Sequence, residues 1–88
     1  IVEGGFHGLQ DEMMWKADVD AWDPASGDEP AIIPFGAGIP TRTGSLVDFL
    51  QLNDLAGLEA LFKANGSNIA AVVLEPIMGN CGSIAATQ

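Results

Sequence analysis

Positive charge is what this chain lacks most. Lys16, Arg42 and Lys63 stand against twelve acids in 88 residues, for a formal net charge of −9. Nucleic-acid binding requires a cationic footprint to neutralise phosphates, and none exists here. The same deficit disfavours an anionic membrane surface. No apolar run approaches the ~20 residues of a membrane span, and no secretory leader pattern is visible. Cysteine occurs once, at Cys81. That excludes an internal disulfide and fits a reducing, cytoplasmic setting. With no basic neighbour in sequence to activate its thiol, Cys81 reads as a small residue packed near a turn. Histidine also occurs once, at His7. No Cys or His at ligand spacing accompanies it, which argues against zinc. A Ser/His/Asp site lacks its G-x-S-x-G elbow.

What is present is apolar. The hydrophobic fraction is 48%, the charged fraction 17%, and the mean hydropathy is positive. A chain of this length buries only about 60–65% of its unfolded surface. One small domain is the most it can form, and this composition is too apolar for a small independent one. Ile1-Val2 reads as the tail of a strand already under way. The expectation is a slice of a larger protein.

The sharpest local signal is Ile69-Ala-Ala-Val-Val-Leu-Glu75-Pro76, followed by Ile77-Met78-Gly79-Asn80-Cys81-Gly82. Seven residues at strand rise span about 23 Å. An unbroken apolar run predicts a strand covered on both faces, as in a parallel sheet. Ligands of such sheets bind beyond the carboxyl ends of the strands, where Glu75 and Asn80 fall.

The rest of the chain divides around this run. Residues 1–17 read as a strand end, a Gly4-Gly5-Phe6-His7-Gly8 loop and a short helix from Leu9 to Ala17. Residues 18–45 carry Pro24, Pro30, Pro34 and Pro40 with Gly27, Gly36, Gly38 and Gly44, and predict a long irregular loop. Residues 46–82 predict strand, helix and strand. The first strand is Leu46-Val-Asp-Phe-Leu-Gln-Leu52. The helix is capped by Asn53 or Asp54, has an apolar stripe of Leu55, Leu58, Leu61 and Phe62, and ends in a left-handed cap at Asn65-Gly66. This is a βαβ unit with a right-handed crossover, so the expected class is α/β.

Taken singly, the polar candidates have plain readings. Asp18, Asp20 and Glu29 occupy positions 1, 3 and 12 of a calcium loop, but Trp22 and Asp23 stand where a ligand and the glycine belong. A solvated acidic loop accounts for them better. His7 alone defaults to a structural role and Phe6 to packing. Gly79-Asn80-Cys81-Gly82 is by itself a turn.

Taken in order, they form a series. Gly5-Phe6-His7-Gly8, Asp11, Gly38-Ile39-Pro40, Leu52-Asn53-Asp54, the run ending in Glu75-Pro76, and Gly79-Asn80-x-Gly82 together resemble the class III aminotransferases. These enzymes depend on pyridoxal 5′-phosphate (PLP), and the subgroup most similar is the glutamate-1-semialdehyde aminomutases. The resemblance covers nearly the whole chain. It implies the large domain of PLP enzymes of fold type I, with a mixed, mostly parallel sheet and a crossover helix. Phe6 matches the aromatic residue that stacks on the pyridine ring. His7 and Gly8 complete that motif. Asn80 matches the asparagine at the ring's phenolic oxygen, and Glu75 a glutamate on the substrate side.

Three features depart from the family pattern: Phe6 in place of tyrosine, Leu9-Gln10, and the acidic stretch 18–29. The family's PLP-bonding lysine and its pyridine aspartate are expected beyond Gln88, and its phosphate cup before Ile1. Lys16 and Lys63 read as solvated charges. The resemblance also implies a homodimer acting on a small amino donor or acceptor, and a fragment inactive alone. A phosphate-ligand α/β fragment of other chemistry, or an acidic interaction module, are the remaining readings.

Overall fold

The computed structural model describes residues 1–23, 25–26 and 30–87. Pro24, Gly27 and Glu29 of the readings above lie outside the described residues. In chain order the regular elements are β1 (Trp15–Ala17), β2 (Ile32–Pro34), α1 (Leu55–Asn65), β3 (Ile77–Met78) and β4 (Ile84–Ala85), with 3-10 turns at Asp11–Met13, Thr41–Leu46 and Gly66–Asn68. The class is α/β on a small scale. The chain forms two compact units, one of Ile1–His7 with Phe49–Gln88 and one of Gly8–Asp48.

The Gly8–Asp48 unit is built on an antiparallel pair, with Trp15 opposite Pro34, Lys16 opposite Ile33 and Ala17 opposite Ile32. The ladder extends through Asp18 N–H to Ala31 O at 2.8 Å and Phe35 N–H to Met14 O at 3.0 Å. The helix expected over 9–17 is therefore replaced by one 3-10 turn and a strand. Burial explains why: Trp15 and Ala17 are buried with Lys16 between them half-exposed, a period of two rather than 3.6. The turn also lacks a side-chain cap, since Gln10 makes none. The expected irregular loop likewise contains β2 and the 3-10 turn Thr41–Leu46.

Trp15 forms the centre of this unit. Its Nε1–H donates to Thr43 Oγ1 at 3.0 Å. The Thr43 hydroxyl donates in turn to Pro40 O at 2.8 Å. The indole lies flush on Gly44, where an added Cβ would stand 2.7 Å from Trp15 Cη2. Lys16 Nζ sits 5.8 Å from the Phe35 ring centroid, within cation–π range. In the acidic stretch, Asp23 Oδ1 accepts from Ala25 N–H at 2.9 Å, an Asx turn that occupies the carboxylate locally.

In the other unit, α1 forms where expected, with Asp54 as its cap. Asp54 Oδ1 accepts the Gly57 N–H at 2.9 Å, and Lys63 sits in the last turn, where its charge suits the helix dipole. Its end differs from the expected left-handed cap. Gly66 is right-handed at φ −55° and the chain continues into a 3-10 turn. Asn68 Nδ2 bonds Asn65 Oδ1 at 2.6 Å, and Gly66 N–H takes Phe62 O. The Phe62 carbonyl thus finds its partner without a positive φ, and Ile69 N–H donates to Gly66 O at 3.3 Å.

The two long strands expected at 46–52 and 69–75 do not form as ladders among the described residues. Leu50 instead makes a single parallel bridge with Val2, through Leu50 N–H to Ile1 O at 3.0 Å and Glu3 N–H to Leu50 O at 2.8 Å. From its other edge Val2 N–H donates to Val73 O at 3.3 Å. The N-terminal segment therefore separates the two flanks of the βαβ unit, in the order Leu50, Val2, Val73. The apolar run also lacks cover, with Val72 40% and Leu74 45% exposed. The regular pairing is the antiparallel hairpin β3–β4, with Ile77 opposite Ala85 and Met78 opposite Ile84. Val2 and Met78 are the buried apolar side chains of this unit.

Candidate functional site

The extended run ends at Glu75, and the ring of Pro76 removes the next backbone donor. Pro76 O instead accepts Ala86 N–H at 2.8 Å, which closes the hairpin. Glu75 is thereby left at the mouth of the hairpin. Its Oε2 accepts the Phe6 N–H at 2.9 Å. Two motifs far apart in sequence meet at this bond.

Gly4 and Gly5 make that approach feasible. Gly4 has φ +80°, a left-handed conformation that L side chains rarely adopt. A Cβ there would lie 2.8 Å from Cys81 Sγ and 3.1 Å from Met78 Cε. At Gly5 an added Cβ would lie 2.9 Å from His7 Nε2, because the imidazole folds back over that residue. His7 Nε2 is buried with no hydrogen-bond partner. Burial lowers the His7 pKa from its ordinary 6.5 and the N-terminal amino group adds to this, while Glu75 and Glu3 oppose it. A depressed folded-state pKa means that proton uptake favours the unfolded chain. The contribution of neutral His7 is therefore complete above 6.5 and fades as pH falls below it.

Phe6 is 55% exposed, so much of its ring is open to a flat ligand. Asn80 is exposed on the turn between β3 and β4. The Cys81 thiol donates to Gly4 O at 3.1 Å and fastens this turn two residues before Phe6. Positive φ falls at Gly82 (+76°) and Ser83 (+58°), not at Gly79 or Asn80. Phe6, His7 and Glu75 are thus brought together, with the Asn80 turn tied beside them. Gly8, at φ +113°, opens the other unit. Among the described residues, no three His, Cys, Asp or Glu side chains gather to hold a metal. No helix among them is long and apolar enough to cross a membrane.

Asn53, one of the two helix-cap candidates and part of the Leu52-Asn53-Asp54 motif, has a further role that sequence reasoning does not supply. At φ +66° it is left-handed. Its Nδ2 donates to Ala85 O at 3.2 Å, and its Oδ1 accepts from Thr87 N–H at 2.7 Å and Thr87 Oγ1 at 3.1 Å. It holds the outgoing strand of the hairpin that carries Asn80. The available signal was its type, since Asn is the non-glycine residue that best tolerates this conformation. Asn53→Ala is expected to cost ~2 kcal/mol, from backbone strain plus exposed hydrogen bonds. Urea unfolding, with faster exchange at the Thr87 amide, is the check.

Among the curated proteins that this chain matches are aminomutases. They are named glutamate-1-semialdehyde 2,1-aminomutase. The Deinococcus radiodurans protein is 37% identical over 85 residues, covering 97% of this chain and 19% of its own length. That of Nitrosospira multiformis is 41% identical over 83 residues, 94% of this chain and 18% of its own. That of Desulfitobacterium hafniense is 39% identical over 82 residues, 93% of this chain and 17% of its own. The chain thus spans under a fifth of the length of these relatives. No family model matches it. Along nearly its whole length, the chain is similar to a stretch of these glutamate-1-semialdehyde 2,1-aminomutases.

Proposed function

We propose that this chain is part of the PLP-binding large domain, of fold type I, of a class III aminotransferase-like aminomutase. The enzyme converts glutamate-1-semialdehyde to 5-aminolevulinate. The observation that carries the reading is the Glu75–Phe6 bond, which unites the two motifs implied to flank the cofactor. The local chemistry fits the group. A half-exposed aromatic face suits the pyridine ring, and the unpartnered, buried His7 Nε2 lies beside it in sequence. The exposed Asn80 amide supplies a donor for the phenolic oxygen.

PLP, when bound, supplies the electron sink for moving an amino group. Phe6 would stack on its ring plane, His7 and Gly8 would shape the loop, Asn80 would donate to the phenolic oxygen, and Glu75 would face the substrate side. The substrate is a small amino donor and acceptor. The complete enzyme works as a cytoplasmic homodimer. Lys63 lies in the last turn of α1 and Lys16 lies against Phe35; neither is the lysine that bonds PLP, so the 88 residues alone transfer no amine.

The test is a chimera in which this chain replaces the matched stretch of the Deinococcus radiodurans enzyme. The expected result is PLP binding and aminomutase turnover, with Asn80→Ala weakening PLP at least tenfold. A folded chimera that neither binds PLP nor depends on Asn80 overturns the reading.

A further inference from the structure

We propose that Glu75 is a positioning residue for Phe6, holding the ring-bearing loop through the Phe6 main-chain N–H. The ring's assignment to a PLP face rests on the proposed function above; the hydrogen bond does not.

Three observations converge on this role. Glu75 Oε2 lies 2.9 Å from the Phe6 nitrogen. The Phe6 side chain is 55% exposed, so packing restrains it little. Gly4 and Gly5 precede it, and Gly4 is left-handed, so the backbone there has more freedom than any other residue pair would allow. A loop with a loosely packed ring and a glycine pair behind it needs a fixed point. The carboxylate supplies one, from a residue whose own place is set by Pro76 and the hairpin behind it.

This role needs an oxygen acceptor, whereas a substrate-side role uses the negative charge. Glutamine keeps an acceptor oxygen and removes the charge, so Glu75→Gln separates the two. The chain reports each property independently. Amide exchange at Phe6 reads the hydrogen bond. The titration of His7 reads the charge, because Glu75 and Glu3 raise its proton affinity against burial and the N-terminal amino group.

The experiment compares the chimera described above with its Glu75→Gln and Glu75→Ala variants by hydrogen exchange and NMR of selectively labelled protein, using α1 amides as the folding control. The expected result is Phe6 exchange about tenfold faster in Glu75→Ala and near the parent rate in Glu75→Gln. Both variants are expected to titrate His7 at lower pH. Phe6 exchange unchanged in the alanine variant overturns the proposal, as does exchange in the glutamine variant as fast as in the alanine one. If Glu75→Ala fails to fold, the glutamine variant decides by the same criterion. Adding PLP then tests the other reading separately. Retained Phe6 protection without PLP-induced shifts at Phe6 and Asn80 removes the cofactor assignment and leaves the positioning role standing.

Discussion

Trp15→Ala is expected to unfold the Gly8–Asp48 unit. Trp15 is 7% exposed and is the largest buried side chain of this unit among the described residues, beside Ala17, Thr43 and Gly44. Truncating a buried tryptophan costs ~3–5 kcal/mol from lost transfer energy and residual cavity. A unit this small has no more than a few kcal/mol in reserve. Two milder variants locate the source of the loss. Thr43→Val keeps the volume but strands the indole N–H that Thr43 Oγ1 accepts at 3.0 Å, for ~1–3 kcal/mol. Gly44→Ala places a methyl 2.7 Å from the ring and forces the indole to move, at ~1–3 kcal/mol. Amide exchange across β1 and β2 is the measurement: protection vanishes in Trp15→Ala and falls by degrees in the other two. A folded Trp15→Ala unit with intact β1–β2 protection contradicts this account of its core.

The elements that were legible in sequence are those whose forces are local. Helix α1 was readable because its cap and periodicity lie within one segment: Asp54 bonds Gly57 three residues on. Strand β2 was hidden by its proline. Bonded pairs at Met14–Phe35 and Asp18–Ala31 place Trp15 and Pro34 at a non-hydrogen-bonded position of the ladder. Pro34 therefore lacks a donor where none is used. The opposite error occurred at residues 69–75. An apolar run predicts cover on both faces, but composition cannot state which elements provide it. In this chain Val72 and Leu74 remain exposed. The candidate site residues come from the ordered motif series. What joins them was not legible, because the Phe6–Glu75 and Gly4–Cys81 bonds link ends of the chain with no shared local pattern. Of the two cap candidates Asp54 caps α1, while the Asn53 side chain serves Ala85 and Thr87, partners 32 and 34 residues away that leave no local pattern.

Gly4→Ala is expected to destabilise the unit of Ile1–His7 and Phe49–Gln88 by ~3 kcal/mol, the sum of two independent effects. The first is conformational. At φ +80° an L residue is strained by ~1–2 kcal/mol whatever surrounds it. The second is steric, since the new methyl would meet Cys81 Sγ at 2.8 Å and Met78 Cε at 3.1 Å. The Met78 methyl is the end of a flexible chain and can yield. Cys81 has less freedom, because its turn runs through left-handed Gly82 and Ser83 and is closed by Ser83 N–H to Met78 O at 3.1 Å. A double-mutant cycle separates the two effects. Cys81→Ala removes the sulfur, so Gly4→Ala in that background should cost ~1 kcal/mol less than in the parent chain, with the conformational part left in place. Equal costs in both backgrounds would show that Sγ does not set the limit. The change also reaches the site. Displacing Cys81 moves the adjacent Asn80 relative to the Phe6 loop, so Asn80 resonances should shift in Gly4→Ala and return toward parent positions in the double variant. A stable Gly4→Ala chain with unmoved Asn80 resonances would mean that the Gly4–Cys81 contact does not hold the two walls of the candidate site together.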